Sequence, residues 1–205
     1  MLEIYLTRHG QDIDNVNGIL NGRRDQPLSE KGLEQAREIA ERIKAAGITF
    51  AKIYTSPLQR AARTAEIIAA ALESPAPEVM PDLIERDFGI MTGQPKDKIE
   101  ELAEGKVMKT ESITYFLNPP GAEDFEQLKE RGRKVLKEVA ARHADGNILL
   151  VTHGDIGKMI YAAYYDLDWE TVLRMFHFGN SDLLLLSSQS PAEKTHVFKV
   201  QQYNN

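Results

Sequence analysis

In two places an imidazole stands directly after an apolar run and directly before a glycine: Arg8-His9-Gly10, which follows Leu2 to Thr7, and Thr152-His153-Gly154, which follows Ile148 to Val151. Taken singly, a histidine at a strand end is more often a hydrogen-bonded surface group; two of them, with arginines nearby, point toward chemistry. Arg8, Arg23, Arg24, Arg60 and Arg63 all fall in the first third of a chain whose net charge is -6. Gathered arginines in an acidic protein read as one small anion pocket, and the net charge argues against a broad nucleic-acid-binding face. Glu85 and Asp87 in Leu83-Ile84-Glu85-Arg86-Asp87-Phe88-Gly89 offer carboxyl groups. There is no cysteine, which removes thiol nucleophiles, disulfides and zinc-thiolate sites. What remains is imidazole as nucleophile, base or metal ligand, arginine as oxyanion partner, and a carboxyl group as acid or base.

Such groups need elements that bring them together. Leu2 to Thr7 alternates as a half-buried strand, and Phe50 to Thr55 and the continuous apolar run Ile148 to Thr152 read as further strands, the last buried on both faces. Ser29 caps a helix with Leu33, Ala36, Ile39, Ala40 and Ile43 on one face and Gly47 as its stop. Ser56-Pro57, with Gln59 closing a capping box, starts a second helix sharply at Ser56, and Leu58 to Leu72 supplies its apolar face. A short strand is expected near Val79 and Met80, a short helix over Asp97 to Ala103, and an amphipathic helix from Phe125 to about Ala144-Asp145-Gly146. Helices follow through Ile156 to Ala163 and Trp169 to Met175, then strands Asp182 to Ser187 and Thr195 to Gln202.

The alternation of strand and helix predicts an α/β fold: a three-layer sandwich with a mostly parallel central sheet flanked by helices, and an antiparallel edge from the last strands. With 205 residues, 42% hydrophobic and 27% charged, residues 1–205 read as a single domain. Purely apolar runs such as Leu183 to Leu186 are far too short to span a bilayer, and no leader pattern opens the chain, so a cytoplasmic protein without a membrane partner is expected. In such sheets ligands bind beyond the carboxyl ends of the strands. His9 and His153 are therefore expected to face one crevice, where Gly10 and Gly154 permit tight turns and the helix after His153 presents free N–H groups to an anion. The long loop from Gly10 to Leu28 reads as functional rather than merely connecting.

Thr7-Arg8-His9-Gly10-Gln11 with Asn15, Pro27-Leu28-Ser29-Glu30-Lys31-Gly32, Ser56-Pro57-Leu58-Gln59-Arg60-Ala61, Leu83 to Gly89, and Val151-Thr152-His153-Gly154 resemble, in order and spacing, the successive blocks of the histidine phosphatase superfamily, the phosphoglycerate mutase-like proteins. The resemblance implies that His9 is the nucleophile that becomes phosphorylated and that Arg8, Arg60 and His153 bind phosphoryl oxygens. It places Glu85 as the acid/base, with Asp87 as runner-up, and Asn15 against the phosphoryl group. Gln11, Gly22 and Arg23 fall where the family shapes its substrate entrance, and Gly154 completes the second motif. A small phosphorylated substrate is implied, with no cofactor. Phosphoryl transfer through a loose transition state needs fixed cations, donors and alignment, which these residue types supply without a metal.

Asp12 departs from the small hydroxyl residue many relatives carry, and Gly121-Ala122-Glu123-Asp124 only partly resembles the family's glycine-rich block. The segment from Gly93 to Gly121 lacks the closely spaced basic residues that the cofactor-dependent mutases use. A phosphomonoesterase is therefore the leading expectation. The alternatives are a mutase, a metallohydrolase using His9, Asp12, His153 and Asp155, and a non-catalytic binding module. His143, His177, His196 and Trp169 receive no role.

Overall fold

The computed structural model describes residues 1–192 and 196–203. The chain opens with β1 (Leu2–Arg8), a one-turn α1 (Ile13–Val16), α2 (Glu30–Ala45), β2 (Lys52–Thr55), α3 (Gln59–Ala71) and β3 (Glu78–Val79). A less regular stretch follows with α4 (Ile99–Leu102), β4 (Val107–Lys109) and β5 (Thr114–Phe116). The chain then regains long elements in α5 (Phe125–Arg142), β6 (Gly146–Thr152), α6 (Gly154–Tyr164), α7 (Trp169–Met175), β7 (Leu183–Leu186) and β8 (His196–Phe198).

The main sheet runs β3-β2-β6-β1-β7-β8, with β1, β2, β3 and β6 parallel and β7 and β8 antiparallel at one side. This is the expected mostly parallel sheet with an antiparallel edge. β6 sits among its neighbours because Ile148, Leu149, Leu150 and Val151 are all fully buried. Its period of two sends Ile148 and Leu150 to the face covered by α5 and α6, and Leu149 and Val151 to the face covered by α2 and α3. Burying each such side chain contributes about 1.5–3 kcal/mol, so this one strand joins both cores. A third apolar cluster, Leu20, Phe88, Met91, Ile99, Ala103 and Phe116, lies in the irregular segments.

Several boundaries differ from the sequence reading. The second helix starts at Gln59 with Leu58 as its N-cap, which has no capping side chain, and the Asp25 carboxylate accepts the Gln59 N–H (2.7 Å) instead. Ser56 is displaced from that task because its N–H continues the strand ladder to the Val151 carbonyl (3.0 Å) and its hydroxyl meets His153. The Asp97 to Ala103 helix is split into a 3₁₀ turn, Lys96–Lys98, and α4. The β4–β5 hairpin and α1 had not been expected. Asp12 caps α1, and Asn15 returns the bond to its backbone. The last strand is only His196–Phe198, and Thr195, its expected start, lies outside the described residues. Among the described residues no helix is long and apolar enough to cross a membrane.

Candidate active site

β1 and β6 end in register, Arg8 opposite Thr152, and the His9 N–H donates to the Thr152 carbonyl (3.0 Å). The two imidazoles are thereby brought side by side, with ring centroids 5.0 Å apart. Thr55 pairs with Val151 on the other flank, so Ser56 arrives at the same edge. The turn after His9 is pressed against the start of α2. A Cβ on Gly10 would lie 2.3 Å from the Gly32 carbonyl oxygen, and one on Gly32 would lie 2.0 Å from that of Gln11.

His9 is buried, and its Nδ1 lies 2.7 Å from the Gly10 carbonyl oxygen. A carbonyl only accepts, so the ring proton is on Nδ1 and Nε2 is unprotonated, its lone pair accepting from Arg60 Nε–H. Arg60 Nε–H lies 3.3 Å from that Nε2 and 3.2 Å from Asp12 Oδ2. Burial first, then Arg60 and Arg8, holds the His9 pKa well below 6.5, so the ring is neutral.

His153 is equally buried, and its Nε2 lies 2.7 Å from Ser56 Oγ. That hydroxyl also accepts from the Leu58 N–H (3.2 Å); in the tautomer where it donates to Nε2, the imidazole proton is on Nδ1. Among the described residues His153 Nδ1 and Arg8 Nε are buried without a hydrogen-bond partner. Such donors are costly to leave unmade and fit incoming anionic oxygens. Burial, then Arg60, lowers the His153 pKa well below 6.5 as well.

Arg60 is fully buried, held by Gly22 O (2.8 Å), Arg24 O and the Asp12 carboxylate. Gly22 reaches this position with φ +48°, where a Cβ would lie 3.0 Å from the Phe88 ring. Arg23 lies outside the cavity wall: its Nε–H donates to Glu85 O (3.1 Å), and its guanidinium lies between Asp87 and Glu123. Gln11 also turns away, accepting the Ser29 hydroxyl at 2.7 Å. Asn15 does line the cavity and touches Asn180.

The first N–H groups of α6 are not free, contrary to expectation. The Glu85 carboxylate accepts from Gly154 N (3.0 Å), Asp155 N (3.4 Å) and Ile156 N (3.2 Å), filling the anion site of the helix terminus. Burial, then the charge of Asp155, still raises the Glu85 pKa above its ordinary 4.5, against the opposing pull of those donors and Arg60. Glu85, Arg8 and Gly154 together line one end of a cavity of about 350 Å³.

The four candidate metal ligands do not converge, because the Asp12 carboxylate is taken by Arg60, Asn21 (2.6 Å) and the Asn15 N–H (2.7 Å). Among the described residues no group of three or more histidine and carboxylate side chains is arranged to hold a metal ion. The arrangement suits attack by an imidazole on an electrophile whose oxygens are held by Arg8 and His153, with a carboxylic acid close by.

Sequence reasoning missed Asn180 and Ser56. Asn180 Nδ2 donates to the His9 carbonyl (2.9 Å) and lines the cavity. Gly179-Asn180-Ser181-Asp182 is a turn signal before β7, but only the antiparallel pairing of β7 with β1 brings it beside His9.

The chain matches the profile of the histidine phosphatase superfamily (branch 1) over residues 4–199. It is 34% identical over 166 residues to a metal-independent phosphoserine phosphatase of Arabidopsis thaliana, covering 78% of this chain and 67% of that one. It is 33% identical over 176 residues to a 2,3-bisphosphoglycerate-dependent phosphoglycerate mutase of Parvibaculum lavamentivorans, covering 84% of each. Among solved structures, a mycobacterial glucosyl-3-phosphoglycerate phosphatase in complex with VO3 superposes with a TM-score of 0.78 at 26% identity, covering 98% of both chains. On sequence, order of motifs and fold alike, the chain belongs to branch 1 of the histidine phosphatase superfamily.

Proposed function

We propose that the protein is a metal-independent phosphomonoesterase that hydrolyses a small phosphorylated metabolite in the cytoplasm through a phosphohistidine on His9. The observation that carries this reading is a buried, neutral His9 with an unprotonated Nε2, next to the unpartnered nitrogens of Arg8 and His153. Support comes from the phosphatase relatives and, for location, from the absence of cysteine.

The His9 Nε2 attacks phosphorus, and the bond from phosphorus to the alcohol oxygen breaks. Arg8, Arg60 and His153 hold the charge on the equatorial oxygens. Glu85 in its protonated form, which burial favours, gives its proton to the leaving oxygen. Water then attacks the phosphohistidine, the Glu85 carboxylate takes the water proton, and the N–P bond breaks to release inorganic phosphate. Asn15 steadies the phosphoryl group, while Gln11, Gly22, Arg23 and Gly154 position the groups that touch it.

The test is to quench turnover of labelled substrate within milliseconds and map the label. An acid-labile, alkali-stable adduct on His9, absent in His9→Ala, is expected; label on a serine or an aspartate overturns the reading. Transfer to a second oxygen of the bound alcohol is the second reading, favoured by the mutase relative. Stoichiometric release of inorganic phosphate without isomerised product separates the two.

A further inference from the structure

Among the described residues six charged side chains line the cavity, Arg8, Arg86, Lys96, Lys158, Glu85 and Asp155, and the proposed chemistry uses only Arg8 and Glu85. Asp155 stands in the first turn of α6, and its own N–H is one of the donors to Glu85 Oε2 (3.4 Å). Two carboxyl groups thus share one helix start, but their surroundings differ. Asp155 Oδ2 lies 3.5 Å from Arg86 Nη1. The Glu85 carboxylate is buried and held by the backbone N–H groups of Arg86, Gly154, Asp155 and Ile156, and among the described residues no cationic nitrogen lies within 4.0 Å of it.

Every element packed against this pair adds a charged or titratable group. Arg8, at the end of β1, faces Glu85 Oε2 across Gly154, where a Cβ would lie 3.7 Å from the guanidinium carbon and 3.8 Å from that oxygen. Arg60 on α3 adds a positive charge, while Arg23 and, from α5, Arg131 donate to the Glu85 main-chain carbonyl. Lys158, one turn further along α6, and the Tyr115 hydroxyl on β5 face Asp155. Against these cations Asp155 supplies the opposing charge, and after burial it is what most favours the protonated form of Glu85. Where two carboxyl groups lie this close, the one without a counter-ion takes up a proton first. Arg86 is fixed independently of Asp155: it donates to the Glu123 and Phe116 carbonyls (2.7 and 3.1 Å), and its guanidinium packs over the Phe116 and Phe125 rings. The cation that holds Asp155 ionised is therefore in place before any substrate arrives.

We propose that Asp155, paired with Arg86, is a positioning residue that acts through Glu85, keeping the proton of the carboxyl pair on the group that donates to the leaving oxygen. This rests on the phosphatase reading with Glu85 as its acid. The experiment records kcat/KM against pH for an alkyl phosphate and for p-nitrophenyl phosphate, whose leaving group needs no proton, in the wild type, Asp155→Asn, Asp155→Ser and Asp155→Glu. Loss of the negative charge favours the Glu85 carboxylate, so the alkaline limb for the alkyl phosphate moves to lower pH in Asp155→Asn and Asp155→Ser. At the pH where the wild type is half-maximal on that limb, their rates fall by at least about threefold. Asp155→Glu keeps the charge and holds the limb near its wild-type position, and rates on p-nitrophenyl phosphate do not share the shift. A limb that stays in place in Asp155→Asn or Asp155→Ser overturns the proposal, as does an equal loss on both substrates at every pH, which marks a merely structural role. A carboxyl ¹³C NMR titration of the wild type needs no variant to fold: Asp155 ionises at lower pH than Glu85, and the reverse order overturns the proposal. Failure of the underlying reading registers separately, as no hydrolysis of p-nitrophenyl phosphate by the wild type or as a wild-type alkyl phosphate profile without an alkaline limb.

Discussion

At the scale of single residues, the site depends on groups whose protonation equilibria are shifted by burial. His9 must be neutral to attack, and burial with two arginines puts its pKa well below 6.5. Glu85 must be protonated to give up a proton, and burial beside Asp155 puts its pKa above 4.5. Both shifts therefore act in the same sense, bringing the two required forms toward a common pH range. Turnover of an alkyl phosphate should persist as pH falls through 6.5 and decline as pH rises through the raised pKa of Glu85; an acid limb centred on 6.5 would contradict the assignment. Glu85→Gln should slow cleavage of an alkyl phosphate by about 10²–10⁴-fold, while the burst of p-nitrophenolate survives because that leaving group needs no proton. Asp12 plays a different part. It and Arg60 are both fully buried and 3.2 Å apart, so Asp12→Ala leaves a guanidinium uncompensated and removes the α1 cap. A loss of about 3–5 kcal/mol is expected in urea unfolding, with Asp12→Asn losing less. Asp12 was conspicuous in the sequence only as a departure from the family, since its partner Arg60 lies 48 positions away on another element.

At the scale of elements, the reactive groups are aimed by how strand ends meet helix starts. Gly32 in the first turn of α2 lets the Gln11 carbonyl approach to where a Cβ would sit 2.0 Å away, and the obstacle is backbone, which cannot swing aside. Gly32→Ala should therefore destabilise the fold by about 1–3 kcal/mol and lower kcat by displacing the His9 turn. Circular dichroism melts and steady-state rates check both, and an unchanged kcat would show that the turn is held by something else. What was legible in the sequence follows the strength of the local signal. The strand leading to His9, the apolar run leading to His153 and the amphipathic faces of α2 and α5 each carry their period over several residues, and they placed both imidazoles at one edge. The β4–β5 hairpin did not show, because three-residue strands have no measurable period and its register is fixed through Thr110 and Ile113. The Ser56 cap was misread because the residue types fit a helix start, while a tertiary partner, His153, claims the hydroxyl. The α6 N–H groups were read as open to a ligand because nothing in the spacing shows that Glu85, 69 residues earlier, reaches them.

At the scale of the whole molecule, binding and stability are two readings of one quantity. The ends of β1 and β6 bury two polar nitrogens, Arg8 Nε and His153 Nδ1, with no partner among the described residues, so the native state carries a penalty that the unfolded chain, whose polar groups meet water, does not. Orthophosphate is acidic enough to arrive as an anion and small enough for a cavity of about 350 Å³. It should bind the native state alone and raise the free energy of unfolding by RT ln(1 + [L]/Kd), about 2.7 kcal/mol at a hundred times Kd. A melting temperature that climbs with orthophosphate, but not with chloride at matched ionic strength, is the expected signature. Arg8→Ala removes one of the two waiting donors and should flatten that climb. Lys31→Ala, on the exposed face of α2, should leave it as steep as in the wild type. A rise equal in all three proteins would mean that phosphate acts by general exclusion from the surface, and the two orphaned donors would then need an explanation other than a waiting oxyanion.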